Sequence, residues 1–348
     1  MFFQNILAAI AVVVNGLPQG LLALTFGFAT FPTALAFILG ILGMLLFGQV
    51  APISFQAESI VLAGTLGRNR QERLNIVFFT GLAMAAIGGC KLLQPTIDFI
   101  GLAILNGMMA GVGIMLAKVS VDMVKANPFP GGLSLAGAVF MYFLTKNLVY
   151  TIVFSVFIST LAWVFTQRKE IKTPDLSSEK LVPLRFCMNR NVLRSVLGLI
   201  TLQIGGNIAY ATITANLANS TVSVDHVTLY SGLADAISSF FGGGPVEAII
   251  SGTAVAPNPV FSGVCMMTLM TIILLLRLLP RLARYVPSES IAGFLFVLGA
   301  IVVFPVNISA GLKIDPVITS ITAITTSATD PFLGMLSGIA TRFLIQLF

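Results

Sequence analysis

The sequence predicts an all-α polytopic membrane protein, a seven-plus-seven transmembrane inverted repeat with one short broken segment in each half. Three observations predict it. The first is composition: of 348 residues, 57% are hydrophobic and 9% charged, and mean hydropathy is +0.99. Soluble domains carry roughly 25% charged residues. The second is a pair of similar interruptions in apolar runs. Ala57-Glu58-Ser59-Ile60 follows Pro52, and Val246-Glu247-Ala248-Ile249 follows Pro245. Matched interrupted segments in two halves of a chain mark a transporter site near mid-membrane. The third is a charged connection, residues 167–191, which divides the chain into a first repeat, 1–166, and a second, 192–348.

Apolar runs of about 20 residues, enough to cross a bilayer core of roughly 30 Å, recur along the chain. They are continuous rather than alternating, which argues against a β-barrel. The run over 5–29 is too long for the apolar core of a signal peptide, so no cleaved leader is expected. Taken in order, the first seven segments fall at 5–30, 33–50, 52–66, 74–92, 96–118, 131–147 and 149–166. The second seven fall at 192–218, 227–243, 245–256, 259–279, 287–304, 309–328 and 331–347. Seven is odd, so the halves lie in opposite orientations, as inverted repeats do.

The repeat has internal support. Asn15 and Asn207 lie in the first segment of each half. Gly107-Met108-Met109-Ala110-Gly111-Val112-Gly113 resembles Gly293-Phe294-Leu295-Phe296-Val297-Leu298-Gly299. Glu58 and Glu247 are paired at a similar spacing. The third and tenth segments are too short to span as helices. Pro52 and Pro245 remove a backbone donor, and Gly242-Gly243-Gly244 disfavours helix just before Pro245. A few extended residues and then a half-helix are expected in each. Two half-helix N-termini would then face one another and favour an anion or electron-rich oxygens.

Glu58 and Glu247 are the leading site residues. A charge at mid-bilayer costs roughly 2.5–3.5 kcal/mol on insertion scales, so such groups persist where they meet substrate, bind a cation or titrate. The bland alternative is a carboxylate capping its own half-helix. Gln56, beside the first break, joins the candidate substrate contacts. So do Asn207, in Gly205-Gly206-Asn207, and Asn15, its counterpart beside Gln19 and Pro18. Each could equally bond a neighbouring helix. Asp235, inside a span, is a third coupling candidate after Glu58 and Glu247, with helix-to-helix bonding as its alternative. Asp98, Asp122, Glu289, Asp315 and Asp330 lie at segment ends and read as caps. Gly111 and Gly113 read as packing positions.

The single histidine, His226, and the scattered Cys90, Cys187 and Cys265 offer no metal-ligand spacing. No cofactor is expected beyond a possible coupling proton or sodium ion, and no nucleophile–base pair or phosphate loop points to an enzyme. The net charge of +6 comes from loops between spans and is no nucleic-acid signal. The expected partners are a small-molecule substrate, the lipid bilayer and, as one option, a second copy of the chain in a homodimer. The expected location is the cell membrane.

Phe240-Phe241-Gly242-Gly243-Gly244-Pro245 resembles the tenth segment of the xanthine/uracil permeases, the nucleobase–ascorbate transporters. Leu278-Leu279-Pro280-Arg281-Leu282-Ala283-Arg284-Tyr285-Val286-Pro287 is similar to that family's region between segments eleven and twelve, and Thr214-Ala215-Asn216 to the end of its eighth. The resemblance covers nearly the whole chain. It implies core and gate domains, a site between segments three and ten beside one and eight, and cation-coupled uptake of purines or pyrimidines. The family's eighth-segment glutamate falls on Gly206 here, a nearby histidine on Tyr210, and its tenth-segment glutamate on Ser251, next to Gly252. Gly206, Tyr210, Ser251 and Gly252 thereby join the candidate site. The same pattern also resembles sulfate-permease anion transporters and benzoate permeases. The expected function is cation-coupled transport of a nucleobase or similar planar heterocycle by alternating access; the alternative is an anion carrier.

Lys and Arg gather in the loops after odd-numbered segments, against only Lys91, Lys146 and Lys313 after even ones. The positive-inside rule then places both termini outside. The family resemblance implies both inside, and orientation stays open.

Overall fold

The computed structural model describes residues 2–166, 179–283 and 285–347. Arg168, Lys169, Lys172 and Pro174 of the charged connection, and Arg284, lie outside the described residues.

The first half runs α1 (Phe2–Thr25), α2 (Thr30–Phe47), β1 (Ile53–Phe55), α3 (Ala57–Leu66), α4 (Arg70–Gly89), α5 (Leu93–Ile100), α6 (Leu102–Ala126), α7 (Pro128–Thr145) and α8 (Leu148–Thr166). The second runs α9 (Arg190–Leu217), α10 (Val224–Phe240), β2 (Val246–Ala248), a 3-10 turn (Gly252–Val255), α11 (Pro259–Leu275) and α12 (Leu278–Ala283). A further 3-10 turn (Ser288–Ile291) leads into α13 (Ala292–Phe296), a π-helical stretch (Val297–Val303), α14 (Phe304–Leu312), α15 (Pro316–Ala328) and α16 (Pro331–Leu347). This is a multi-pass membrane protein. Among the described residues six helices, counting Ser288–Leu312 as one, are long and apolar enough to cross a bilayer, and α4 with α5 makes a seventh if the bent pair is one span.

Local chemistry sets the ends. Asn69, Asn189, Ser223, Asn258 and Asp315 each accept a backbone N–H of the helix they precede, and such caps contribute about 1 kcal/mol each. Pro128, Pro259 and Pro316 open their helices, where the missing N–H costs nothing.

Three expected segments differ. The fifth splits: α5 is a short helix bent by 101° from α4, across Lys91 at φ 57°, and the span itself is α6. The twelfth runs on to Leu312, absorbing the start of the expected thirteenth. The tenth has its extended residues but no α half-helix; only the single turn Gly252–Val255 comes after β2. Pro257 disfavours helix at Ala256, and Asn258 already caps α11, leaving room for one turn.

The chain divides into two compact units: Met1–Gln94 with Pro174–Leu282, and Pro95–Thr173 with Ala283–Phe348. Each draws on both sequence halves. In the first unit α10 lies along α4, and α2 packs against α10 and α11. The α4–α10 crossing is close because Gly81 and Gly232 meet there: a Cβ on Gly232 would stand 2.5 Å from the Ala85 nitrogen, and one on Gly81 2.6 Å from the Gly232 oxygen. In the second unit Gly113 and Gly299, members of the two similar glycine runs, face each other; a Cβ on Gly113 would lie 2.8 Å from the Gly299 oxygen.

Two features position the first unit's interior. Glu179, fully buried, accepts from the Thr30 nitrogen at 2.9 Å, the Thr30 hydroxyl at 3.1 Å and the Phe31 nitrogen at 2.6 Å. It therefore caps α2 from the inter-repeat connection. The second feature is the pairing of the two breaks. β1 and β2 are antiparallel, with Ile53 opposite Ala248, Ser54 opposite Glu247 and Phe55 opposite Val246. This register aligns the repeats on Pro52 and Pro245, so Ser54 corresponds to Glu247 and Glu58 to Ser251. The expected equivalence of the two glutamates is out of register.

Candidate functional site

A two-stranded ribbon inside a membrane protein leaves outer-edge backbone groups with no water to satisfy them. The first unit satisfies β2 with side chains. Asp235, on α10, accepts from the Val246 nitrogen at 2.6 Å and from the Gln203 amide at 2.7 Å. Asn207, on α9, accepts from the Ala248 nitrogen at 3.3 Å and donates to the Ser231 hydroxyl at 3.2 Å. Thr214 donates to the Ile249 oxygen at 2.8 Å and accepts from the Ser251 nitrogen at 3.2 Å. On the approach, Thr33 accepts from the Gly244 nitrogen at 2.9 Å, and Tyr230 donates to the Ala51 oxygen. Gln203, Asn207, Tyr210 and Thr214 recur at helical spacing, so α9 presents one polar stripe to the ribbon.

Glu247 stands at the centre of β2 and is 1% exposed. Ser59, in the first turns of α3, donates to its Oε1. A Cβ on Gly206 would lie 3.2 Å from its Oε2 and 3.5 Å from the Tyr210 ring, so the glycine makes room for the carboxylate. Tyr210 donates to Glu58 Oε1 at 3.0 Å. Glu58, 3% exposed, keeps its Oε2 without a partner among the described residues. Glu58, Glu247, Ser59, Gly206 and Tyr210 thus form one cluster.

Glu58 lies in the first turn of α3, inside the helix rather than at its N-cap. Gln56 holds the N-cap position and its side chain makes no capping bond. Carboxylate charge is still favourable near that end through the helix dipole. Asp235 was expected as a coupling group or as helix-to-helix bonding; both of its oxygens are engaged in holding β2 and Gln203. Ser251 and Gly252 lie just beyond the ribbon. Ser251 is buried and bonds Thr253 at 2.7 Å, while Gly252 is exposed.

Asn15 is on α1, which packs against β1 and α3. Its Oδ1, the Oε1 of Gln19 one turn on, and the Oγ of Ser54 are buried and without a partner among the described residues, as is Glu58 Oε2. A Cβ on Gly16 would be 3.2 Å from Ser54 Oγ, placing the α1 glycine face against β1. A buried polar atom without a partner costs about 1–3 kcal/mol, and four of them lie on three elements packed together here. Ser54, Ser59, Gln203 and Ser231 were not singled out in the sequence. Only the polar periodicity of α9 could have exposed Gln203.

No family model matches this chain, and no curated protein does. Solved structures do. The transmembrane domain of a cyanobacterium bicarbonate transporter, BicA, superposes with TM-score 0.71 at 14% identity, over 96% of this chain and 97% of that one. SLC26A9 gives 0.71 at 14%, over 100% of this chain and 65% of its own. The murine solute carrier 26 family member A9, an anion transporter in the inward-facing state, gives 0.68 at 15%, over 99% and 68%. The chain spans about two thirds of the SLC26A9 structures it resembles. At these identities the likeness establishes the fold, a seven-plus-seven inverted repeat.

The comparisons overturn the assignment to the xanthine/uracil permeases, since the neighbours are SLC26-type anion transporters. The reason is physical. The Gly-Gly-Gly-Pro run and the polar end of α9 serve the broken tenth segment and its backbone bonds, which belong to the shared architecture. They report the fold and carry nothing about a nucleobase.

Proposed function

We propose that this chain is a secondary transporter of a small anion, such as bicarbonate, sulfate or a carboxylate, moved together with a cation by alternating access. The carrying observation is the β1–β2 crossing, with Glu247 at its centre and Glu58 beside it among unpartnered buried oxygens. The likeness to a bicarbonate transporter's membrane domain over 96% of this chain supports the anion class.

The site's chemistry supports the cation. The N-terminus of α3 and the amide groups of Gln56, Asn15 and Gln19 supply donors for an anion. Two buried carboxylates beside them would repel it, because charges at short range interact strongly where water is scarce. A proton or sodium ion carried on Glu58 or Glu247 removes that repulsion and couples the two movements. Tyr210 and Ser59 orient the carboxylates, and Asn207 and Asp235 hold the strand that carries Glu247. Substrate and bilayer are the partners in this reading, and assembly as a homodimer belongs to it.

Uptake by purified protein in vesicles tests the proposal. Labelled bicarbonate, sulfate, chloride and benzoate are offered with and without an inward proton or sodium gradient. We expect saturable uptake of one anion, accelerated by one gradient and not competed by uracil or adenine. No anion uptake, or uptake indifferent to both gradients, would refute it.

A further inference from the structure

The inter-repeat connection returns to the first unit as an extended strap across the start of α4. Leu184 N bonds the Phe240 oxygen at 2.7 Å. Gln71 and Asn75, on α4, both donate to the Arg185 oxygen, at 3.1 and 3.0 Å. The Cys187 nitrogen donates to Asn75 Oδ1 at 3.0 Å, and Glu72 takes Asn189 and Asn191 amides at 2.8 and 3.1 Å. The strap is therefore a fixed wall.

Between strap and helix lies a cavity of about 310 Å³, lined by Arg70, Gln71, Leu74, Val182, Leu184 and Arg185, with Pro183 and Gly242. Its cations meet no carboxylate partner among the described residues. Arg70 uses its Nε on the Gly27 oxygen at 2.8 Å, and neither it nor Arg185 forms an ion pair among the described residues. Among the described residues the nearby acids are committed: Glu72 to the Arg68 nitrogen and the two asparagine amides, Glu179 to the start of α2. Beside the cavity the strap exposes large apolar side chains, Leu181 at 48%, Val182 at 53% and Phe186 at 62%.

Two unpaired guanidiniums in a cavity edged by exposed apolar side chains match an anionic head joined to acyl chains. We propose that this cavity binds the headgroup of an acidic phospholipid, with its chains over Leu181, Val182 and Phe186. Charge complementarity carries the choice of occupant, and the cavity's two arginines come after the third and seventh segments, on the face where Lys and Arg gather. Guanidinium suits a phosphodiester because its planar donors meet two oxygens at once.

The test uses the full chain in discs of neutral lipid, with or without phosphatidylglycerol, reading thermal stability and retained lipid by native mass spectrometry. Wild type should melt higher with phosphatidylglycerol and retain it. Arg185→Gln, whose backbone bonds are unaffected, should bind it roughly fivefold more weakly, the ~1 kcal/mol that one basic residue contributes near an anionic surface. Lys313→Gln, a control of equal charge change, should behave as wild type. Arg70→Gln is a less clean variant, since Arg70 also holds Gly27. Unchanged binding by Arg185→Gln would overturn the proposal. So would inorganic phosphate alone reproducing the stabilisation, which would mark a free-anion site.

Discussion

At the scale of residues, the carboxylates were legible because a charge inside an apolar run has few explanations. Their partners were not. Ser54, Ser59 and Gln203 are neutral polar residues that a membrane helix or strand also tolerates for packing, so nothing in their types separates site from scaffold. Each role predicts a different variant phenotype. Glu247→Gln can still accept from Ser59, so folding should survive while uptake ceases to respond to the coupling gradient; a wild-type gradient response would remove Glu247 from coupling. Gly206→Ala puts a methyl group 3.2 Å from that carboxylate. It should lower uptake several-fold with little change in melting temperature, and normal uptake would show that the carboxylate yields freely. Asp235→Ala should behave in the opposite way. It leaves the Val246 N–H without its acceptor and should cost about 1–3 kcal/mol of stability, measured by thermal unfolding in detergent.

At the scale of elements, apolar periodicity located the long helices, and Pro52 and Pro245 located both breaks. The conformation beyond each break was set by residues downstream of it. α3 runs Ala57 to Leu66 with no proline, whereas Pro257 stops the second break after one turn, and the equal pair of half-helices expected from the repeat does not form. The strand register was equally hidden: the two glutamates looked equivalent because their neighbours are similar apolar residues, while pairing is fixed by the prolines and by the side chains of Asp235 and Asn207. The α4–α10 crossing gives the prediction for this scale. Gly232→Ala places a Cβ against the α4 backbone and should destabilise by about 1–3 kcal/mol through overpacking. A melting temperature equal to wild type would show that the helices separate at little cost.

At the scale of the molecule, the repeat was visible in sequence, but the two compact units were not, because each is assembled from pieces of both halves. Orientation can be read from two native thiols. Cys90 ends α4 and is exposed, while Cys187 sits on the strap, bonded to Asn75 near the start of the same helix. A helix of that length, at about 1.5 Å per residue, puts them on opposite faces. If the basic face is cytoplasmic, an impermeant maleimide should label single-cysteine Cys90 protein in intact cells and spare Cys187. The reverse pattern would establish a cytoplasmic Cys90 loop and an inverted charge bias.

The β1–β2 crossing also constrains how the protein is made. Ser59 and the Glu247 that it bonds are 188 positions apart, so at roughly 5–20 residues per second the first break is synthesised some 10–40 s before its partner strand exists. During that interval β1 has backbone groups with nothing to bond in a lipid phase, and until residue 179 is made α2 also lacks the Glu179 cap. The nascent first half therefore carries an incomplete centre until the second break has been made. The centre of this fold therefore closes between elements made far apart in time, whatever the order in which its helices emerge.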